Sequence, residues 1–349
     1  MEIQQALALL VERVDLGRQE MAAVMRQVMS GGATDAQIGA LLVGLRMKGE
    51  SIEEIAGAAE VMRELATPVV VSAEHLVDLV GTGGDGANLF NVSTAATFVV
   101  AAAGARVAKH GNRSVSSTSG SSDLLEMLGV PINLSPEQVA RAIDSVGMGF
   151  MFAPAHHAAM RYSVGPRREL GMRTLFNVLG PLTNPAGVRR QLIGVFDATL
   201  CQPLAEVLQL LGSEHALVVH GAGGLDEITI SGSTQVTELC RGSISNYHIT
   251  PEDFGMQRQS LDGLAVSSAA ESASLIRAAL GREDDAVASK AAAMIAMNAG
   301  ATIYVSGLAA TIADGVALAE DLIATGQAEE KMKEFVSFTQ LMGAGSESQ

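Results

Sequence analysis

Four glycines in six positions, Gly81, Gly83, Gly84 and Gly86, close the stretch Asp78-Leu79-Val80-Gly81-Thr82-Gly83-Gly84-Asp85-Gly86. A chain without Cβ atoms can take positive φ and turn successive backbone N–H groups toward one anion, an arrangement that phosphates and pyrophosphates favour. This is not a Walker loop, because no Gly-Lys-Ser/Thr ends it, and the G-x-G-x-x-G order of a dinucleotide fold is absent. Read alone, it suits a phosphate loop or a plain tight turn.

Further along, Asn91-Val92-Ser93-Thr94 precedes an apolar helical stretch, Ala95 to Ala103. Its polar side chains fall where a helix has unpaired N–H groups and a positive dipole end, which suits either an anion or simple N-capping. Lys109-His110-Gly111-Asn112-Arg113-Ser114-Val115-Ser116-Ser117-Thr118-Ser119-Gly120-Ser121 then follows a short strand, Arg106 to Ala108. Cationic and hydroxyl side chains at the C-terminal end of a strand lie where open α/β sheets bind ligands. Asp226-Glu227, after the flexible Gly221-Ala222-Gly223-Gly224, offers adjacent carboxylates. Beside a polyphosphate they suit Mg2+, and otherwise they are a solvated charge pair. Arg167, Arg168 and Arg173 flank Gly165-Pro166; an arginine fork fits a carboxylate or phosphate, and its ordinary role is surface ion pairing. His156 and His157 fit packing, helix capping or a site equally well.

These segments need elements to hold them. Ile3, Leu7, Leu10 and Val14 recur at helical spacing, and Thr34 with Gln37 and Ser51 with Glu54 have the spacing of capping boxes, so the first seventy residues read as helices. After Pro68 the pattern changes to β-branched and apolar bursts: Val69 to Val71, Leu76 to Val80, Arg106 to Ala108, Gln191 to Phe196, His215 to His220 and Glu227 to Ser231. Helical stretches alternate with them, one opening at Ser135-Pro136 with Gln138 at N3, another at Ser268 with Glu271, and an alanine-rich one from Asp284 to Asn298. Alternating strand and helix predicts a largely parallel sheet covered on both faces. Between Pro154 and Pro185 no strand period is visible, and this stretch suits a hinge or an excursion into the helical part. The tail from Gly343 is expected to fray.

Composition excludes several classes. The chain has 349 residues, 48% of them hydrophobic, with 38 acidic against 23 basic side chains and a net charge of -15. This is globular rather than disordered, and long enough for about two domains. An acidic surface repels phosphate polymers, and 3% aromatics without tryptophan leave few stacking platforms for nucleic acid. Two cysteines, Cys201 and Cys240, with no C-x-x-C spacing, fit a reduced cytosolic protein. The most apolar stretch, Ala95 to Ala103, is far below the ~20 residues of a bilayer span, and no targeting segment is visible.

In order, Gly81-Thr82-Gly83-Gly84-Asp85, Asn91-Val92-Ser93-Thr94, Lys109-His110-Gly111-Asn112-Arg113, Ser119-Gly120-Ser121, Leu175-Phe176-Asn177-Val178-Leu179-Gly180-Pro181-Leu182-Thr183-Asn184-Pro185 and Gly224-Leu225-Asp226-Glu227 resemble the signature stretches of the anthranilate phosphoribosyltransferases. That group shares a family with pyrimidine nucleoside phosphorylases, which usually depart from the Lys-His-Gly-Asn-Arg and Gly-Pro-Leu-Thr-Asn-Pro runs. The resemblance implies an α/β fold class in which a small all-helical domain (1–69 plus about 155–190) is hinged to a larger, mostly parallel α/β domain (about 70–154 plus 191–349). It also implies a homodimer packed through its helical domains, while the composition leaves the expectation of a cytoplasmic protein with no nucleic-acid or membrane partner. The implied reaction is Mg2+-dependent transfer of the phosphoribosyl group from 5-phosphoribosyl 1-pyrophosphate (PRPP) to the amine of anthranilate.

Carried over residue by residue, the resemblance assigns PRPP to Gly81, Gly84, Asp85, Asn91, Ser93, Thr94, Lys109, His110, Gly111, Asn112, Arg113, Ser114, Val115, Ser116, Ser117 and Ser121. It assigns Mg2+ to Ser93, Asp226 and Glu227. Anthranilate would contact Gly81, Asn112 and Arg167, the last at its carboxylate, with His110, His157 and Pro181 lining its path. The chain departs from the usual pattern at Leu89, where threonine is common, at Ala158 after His157, where proline is common, and at Ser122, where alanine is common. None of these removes a charge. An aromatic amine is already a nucleophile, so positioning and leaving-group neutralisation suffice and no catalytic nucleophile is expected.

Overall fold

The structure is a computed structural model and describes residues 1–113 and 118–344. Four helices come first, α1 (Ile3–Val11), α2 (Arg18–Met29), α3 (Asp35–Lys48) and α4 (Ile52–Glu64). Thr34 and Ser51 open α3 and α4 with the capping boxes that their spacing predicts. Val14 does not extend the face of α1 as its spacing suggests. Arg13 takes a left-handed φ of 58°, which ends the helix and leaves Val14 exposed.

The remaining elements are β1 (Leu76–Gly81), α5 (Val92–Ala102), β2 (Arg106–Gly111), α6 (Ser121–Leu128), α7 (Pro136–Val146), β3 (Met148–Phe152), α8 (Ala153–His156), α9 (Arg161–Leu170), α10 (Phe176–Leu179), β4 (Arg190–Gly194), α11 (Cys201–Leu210), β5 (His215–Gly221), β6 (Thr234–Cys240), β7 (Ser243–Ile249), α12 (Ala269–Leu280), α13 (Ala286–Ser306), α14 (Ile312–Ala324) and α15 (Gln327–Ala344). Among the described residues the sheet has seven strands in the order β3-β2-β1-β4-β5-β6-β7. Its first five are parallel and its last two antiparallel. Central β1 lies between β2 and β4, so the chain order reverses there and a crevice opens beyond the C-terminal ends of these strands.

Two sequence expectations need correction. Val69 to Val71 is not a strand; the Val69 N–H donates to the Pro185 carbonyl (3.1 Å) in a connector. Glu227 to Ser231 is not a strand either. Ile228 and Ile230 are buried, but Asn298 on α13 takes the place of a neighbouring strand, accepting from the Ile228 N–H (2.9 Å) and donating to its carbonyl (2.8 Å). The alanine-rich helix expected from Asp284 to Asn298 runs on to Ser306 as α13; among the described residues it is long and apolar enough by length and composition to cross a membrane, yet 67% of its most apolar window is buried in the fold. It meets α14 backbone to backbone, since a Cβ on Gly300 would stand 2.4 Å from the Val316 Cα. At the tail, the helix continues through Ala344 and the expected fraying beyond it falls outside the described residues.

Among the described residues a small apolar cluster joins the connector residues Val69 and Val188 to Ala108, Met151 and α7, and two larger cores flank the sheet. One lies between the sheet and the helices α5, α12, α13, α14 and α15. The other runs from the buried faces of α1 to α4 through Leu175, Phe176, Leu179 and Leu182 to α11 and the opposite face of the sheet. The connectors between these layers are tied together. Thr67 N–H donates to the His156 carbonyl (2.8 Å), and His156 Nδ1 meets the Thr67 carbonyl (2.9 Å).

Candidate active site

β1 ends at Gly81, paired with Gly194 of β4. Beyond it Gly83, Gly84 and Gly86 have φ of 68°, 78° and 77°, the left-handed conformation for which their lack of a Cβ suits them. The loop bends against the acidic turn after β5. Gly83 N–H donates to Asp226 Oδ2 (2.6 Å), and a Cβ at Gly81 would stand 2.4 Å from that same oxygen. Asp85 Oδ1 accepts from the Ala87 N–H (3.1 Å), and its charge bears on Asp226. Arg173 donates to the Gly84 carbonyl and lies over the Phe196 ring at 3.8 Å.

α5 starts at Val92, three residues before its expected start, with Asn91 at the N-cap. The Asn91 side chain does not cap. Its Nδ2 donates to the Ser119 carbonyl (3.1 Å) and its Oδ1 accepts from the Ser119 and Ser272 hydroxyls (2.9 and 2.7 Å), which ties the start of α5 to the hydroxyl-rich segment and to α12. The Ser93 N–H donates to Glu227 Oε1 (3.1 Å). The Thr94 hydroxyl is buried without a partner among the described residues. Lys109, 2% exposed, donates from Nζ to the Leu79 carbonyl (2.6 Å) and approaches Ser93 Oγ (3.4 Å). Burial pulls its ammonium below the ordinary lysine value, opposed by Asp78 and Glu227.

The glycine loop, the start of α5, Lys109 and the acidic turn thus meet at one place, where carboxylates predominate. Burial, with Asp85 as the next cause, pushes Asp226 up to about 7; burial and Asp226 push Glu227 well above its usual value. Carboxylates crowded out of their charged form are an environment that a hard divalent cation relieves, and oxygen donors are its ligands. Ser93, Asp226 and Glu227 therefore fit Mg2+. Among the described residues another group with metal-ligand chemistry, His215, Glu238 and Cys240, sits at the opposite end of β5. There Glu238 already accepts from His215 (2.8 Å), Tyr304 (2.7 Å) and Tyr247 (2.9 Å).

The other wall of the crevice is less uniform. Gly111 packs where a Cβ would fall 2.0 Å from Ser121 Oγ. Asn112 Oδ1 accepts from the Arg113 N–H (2.8 Å). The Arg113 guanidinium is turned away onto α6, donating to Asp123 (3.1 Å) and twice to Glu126 (2.6 and 2.8 Å). Of the residues assigned to PRPP from the sequence, Ser114, Val115, Ser116 and Ser117 lie outside the described residues. Leu89 packs against the core with its backbone bridged to Ala265, and the Ser122 hydroxyl is buried without a partner among the described residues. Arg167 is half-buried, 5.0 Å from the Phe176 ring centroid, and among the described residues has no carboxylate partner; burial draws it below the ordinary arginine value. His157 is buried with Nε2 unpartnered among the described residues, and burial, with His110 as the next cause, lowers it to about 4. Pro181 is buried, its carbonyl accepting from Gln191 Nε2 (3.1 Å).

His110 is not a free wall. Its Nδ1 meets Asp78 Oδ2 (2.6 Å) and its Nε2 meets the Gly180 carbonyl (2.8 Å). Residue types and spacing do not single out Asp78, although one signal is present: it is the single charged residue inside the apolar run Leu76 to Val80.

A family profile described as the glycosyl transferase family, helical bundle domain, matches residues 4–66, and one described as the glycosyl transferase family, a/b domain, matches residues 73–329. An anthranilate phosphoribosyltransferase of Cellvibrio japonicus is 61% identical over 342 residues, 98% of this chain and 100% of that one. The crystal structure of the corresponding protein from Thermus thermophilus superposes with a TM-score of 0.90 at 42% identity, covering 96% of this chain and 99% of the other. The Saccharomyces cerevisiae protein in complex with PRPP and Mg superposes at 0.87 with 26% identity, covering 97% and 98%; in complex with 4-fluoroanthranilate it does so at 0.86 with 25% identity, covering 97% of each chain.

Proposed function

The chain belongs to the anthranilate phosphoribosyltransferases, glycosyl transferases made of a helical bundle and an a/b domain, and from that premise we propose how its residues divide the work. The reaction is Mg2+-dependent transfer of the phosphoribosyl group from PRPP to the amine of anthranilate, giving N-(5-phosphoribosyl)anthranilate and pyrophosphate, the second step of tryptophan biosynthesis from chorismate.

In this reading Gly81, Gly84 and Asp85 hold the pyrophosphate end of the donor. Asn91, Ser93, Thr94, Lys109 through Ser117 and Ser121 hold the rest, with Arg113 contributing backbone while its side chain stays on α6. Ser93, Asp226 and Glu227 hold Mg2+, which when bound neutralises charge on the leaving pyrophosphate. Lys109 adds a buried positive charge behind the same oxygens. Arg167 offers its fork to the anthranilate carboxylate, Gly81 and Asn112 touch the acceptor, and His110, His157 and Pro181 line its path. The amine attacks the anomeric carbon as the bond to pyrophosphate breaks, through a ribosyl centre of oxocarbenium character. Orientation and charge complementarity carry the rate, and no residue becomes covalently attached. Supporting this reading are the hydrogen-bonded meeting of the glycine loop with Asp226 and of the α5 start with Glu227, and a half-buried arginine, Arg167, without a carboxylate partner among the described residues.

The helical unit comprises 1–69 plus about 155–190 and the α/β unit about 70–154 plus 191–349, a division that the packing of Leu175 to Leu182 on α4 and its neighbours supports. The protein is a homodimer joined through its helical units, where Val11 and Met47 are strongly exposed (79% and 70%). It works in the cytoplasm, in keeping with two unpaired cysteines.

Loss of anthranilate fluorescence tests the assignment. Consumption requiring PRPP and Mg2+ is expected, and Asp226→Asn combined with Glu227→Gln should slow turnover and raise the Mg2+ needed. Unchanged Mg2+ dependence in that variant would remove the metal role from these residues.

A further inference from the structure

A carboxylate at the centre of the sheet is left without a task by the donor and acceptor contacts. Asp78, on β1, is fully buried, and an unpaired charge in that position would be strongly destabilising. Every oxygen is used. Oδ1 accepts from the Leu79 N–H (2.8 Å); Oδ2 accepts from His110 Nδ1 (2.6 Å) and from Asn184 Nδ2 (2.7 Å). Although burial opposes ionisation, His110, Lys109 and Asn184 outweigh it and hold the carboxyl below its usual range.

Its two partners reach the same stretch of chain. His110 Nε2–H donates to the Gly180 carbonyl (2.8 Å), since a carbonyl can only accept. Asn184 lies four residues on; its Nδ2 also donates to the Ala108 carbonyl (2.8 Å), and its Oδ1 accepts from the Ala186 N–H (2.8 Å). Between these two anchors, the Pro181 carbonyl is held by Gln191 on β4 and the Leu182 carbonyl by Arg63 on α4 (2.6 Å). The Gly180-to-Pro185 run is one of the crossings from the helical layer to the sheet, and at its end the Pro185 carbonyl holds the first connector through Val69. One carboxylate oxygen therefore fixes both ends of a crossing that carries Pro181 and lies beside His157.

We infer that Asp78 is a positioning residue for the acceptor side of the site: through the His110 imidazole and the Asn184 amide it sets the Gly180-to-Asn184 run against which anthranilate lies. The inference rests on the acceptor path proposed above. It makes Asp78 specific in its effect, because the diphosphate end of the donor is held by the glycine loop and the acidic turn.

Asp78→Asn is the sharpest test. An asparagine keeps the shape but turns an NH2 group either on the Leu79 N–H or on the His110 and Asn184 donors, so no amide flip satisfies both sides. The expected result is a KM for anthranilate raised about tenfold or more, with a clearly smaller rise in the KM for PRPP, since His110 also stands among the donor contacts. In a His110→Gln background, which keeps a donor for Gly180 but gives up Asp78, adding Asp78→Asn should change the anthranilate KM little further. Equal increases in both KM values, or effects of the two substitutions that multiply, would overturn the inference. Should Asp78→Asn not fold, Asn184→Ser carries the same expectation of a selective rise in anthranilate KM. A readout independent of activity is nitrogen-15 NMR of the histidine rings in the free protein. A solvent-protected N–H pair, assigned to His110 by its loss in His110→Gln and weakened in Asp78→Asn, supports the positioning; a His110 ring signal unchanged by Asp78→Asn overturns it. If anthranilate is not consumed at all while that signal behaves as expected, the acceptor reading has failed and the positioning has not.

Discussion

The Gly83 N–H donates to Asp226 Oδ2 across 2.6 Å, so the loop after β1 and the turn after β5 are joined at the point where a diphosphate and a cation would share charge. Each depends on the other for its shape. Neither can shift alone without giving up that bond.

A methyl group at position 81 tests this coupling. Its carbon would stand 2.4 Å from the same Asp226 oxygen, and either the carboxylate or the loop must give way. Gly81→Ala is expected to lower kcat/KM for PRPP on the order of 10²-fold, the usual effect of misplacing a binding group by about an ångström. Steady-state kinetics with varied PRPP check it; a value near that of the unsubstituted protein would mean that the loop is not held by Asp226.

Arg167 calls for a different readout. Its half-buried guanidinium has no carboxylate partner among the described residues, so a lysine there keeps charge but loses the planar fork. Arg167→Lys should raise the KM for anthranilate roughly tenfold, one bidentate hydrogen bond's worth, and leave that for PRPP nearly unchanged. Equal effects on the two substrates would take Arg167 out of the acceptor site.

His157 predicts a pH dependence of stability. Burial lowers its pKa from 6.5 to about 4, so the unfolded chain binds this proton more readily than the folded one. The contribution is intact above pH 6.5 and is lost as pH falls toward 4, amounting to roughly 2 kcal/mol between pH 7 and 5. Urea unfolding at those two pH values should show a smaller difference for His157→Gln than for the unsubstituted chain. An identical difference in both proteins would place the proton elsewhere.

In the helical layer, the wholly buried Glu54 carboxylate accepts from the Leu16 N–H (2.9 Å), the Ser51 N–H (2.7 Å) and Lys48 Nζ (2.9 Å). Glu54→Ala strands two donors and half of a buried ion pair, with Asp15 left to Lys48 at the surface. A loss of about 3 kcal/mol follows, measurable by denaturant unfolding. A loss below about 1 kcal/mol, the range of a surface pair, would show that water reaches Lys48 freely.

The sequence makes part of this arrangement legible for a simple reason. β1, β2, β4 and β5 are central strands, buried on both faces, and so appear as apolar bursts. β6 and β7 carry Gln235, Glu238, Asn246 and His248 among their apolar residues and do not stand out, because antiparallel outer strands present one face to polar surroundings. β3 is hidden by glycine and methionine, residues with little strand preference. Ile228 and Ile230 mislead for the opposite reason: their alternation is real, but Asn298, distant in sequence, supplies the hydrogen bonds. At the site, the anion-binding segments announce themselves by residue type, whereas the Asp78 partnership does not, since Asn184 and His110 become its neighbours only when β1, β2 and the crossing after α10 come together.

Leu175, Phe176, Leu179 and Leu182 share a core with α1 to α4, yet β1, β2 and β3 stand between them in the chain. A ribosome therefore delivers the first four helices long before the segment that completes their flank. The earliest part to be made is among the last to be finished, and a chain stalled after β3 presents apolar helix surface to whatever chaperone or protease is near. Interleaving of this kind makes the order of synthesis and the order of assembly run against each other, so neither layer can be cut away as an inheritable module without taking a piece of the other with it.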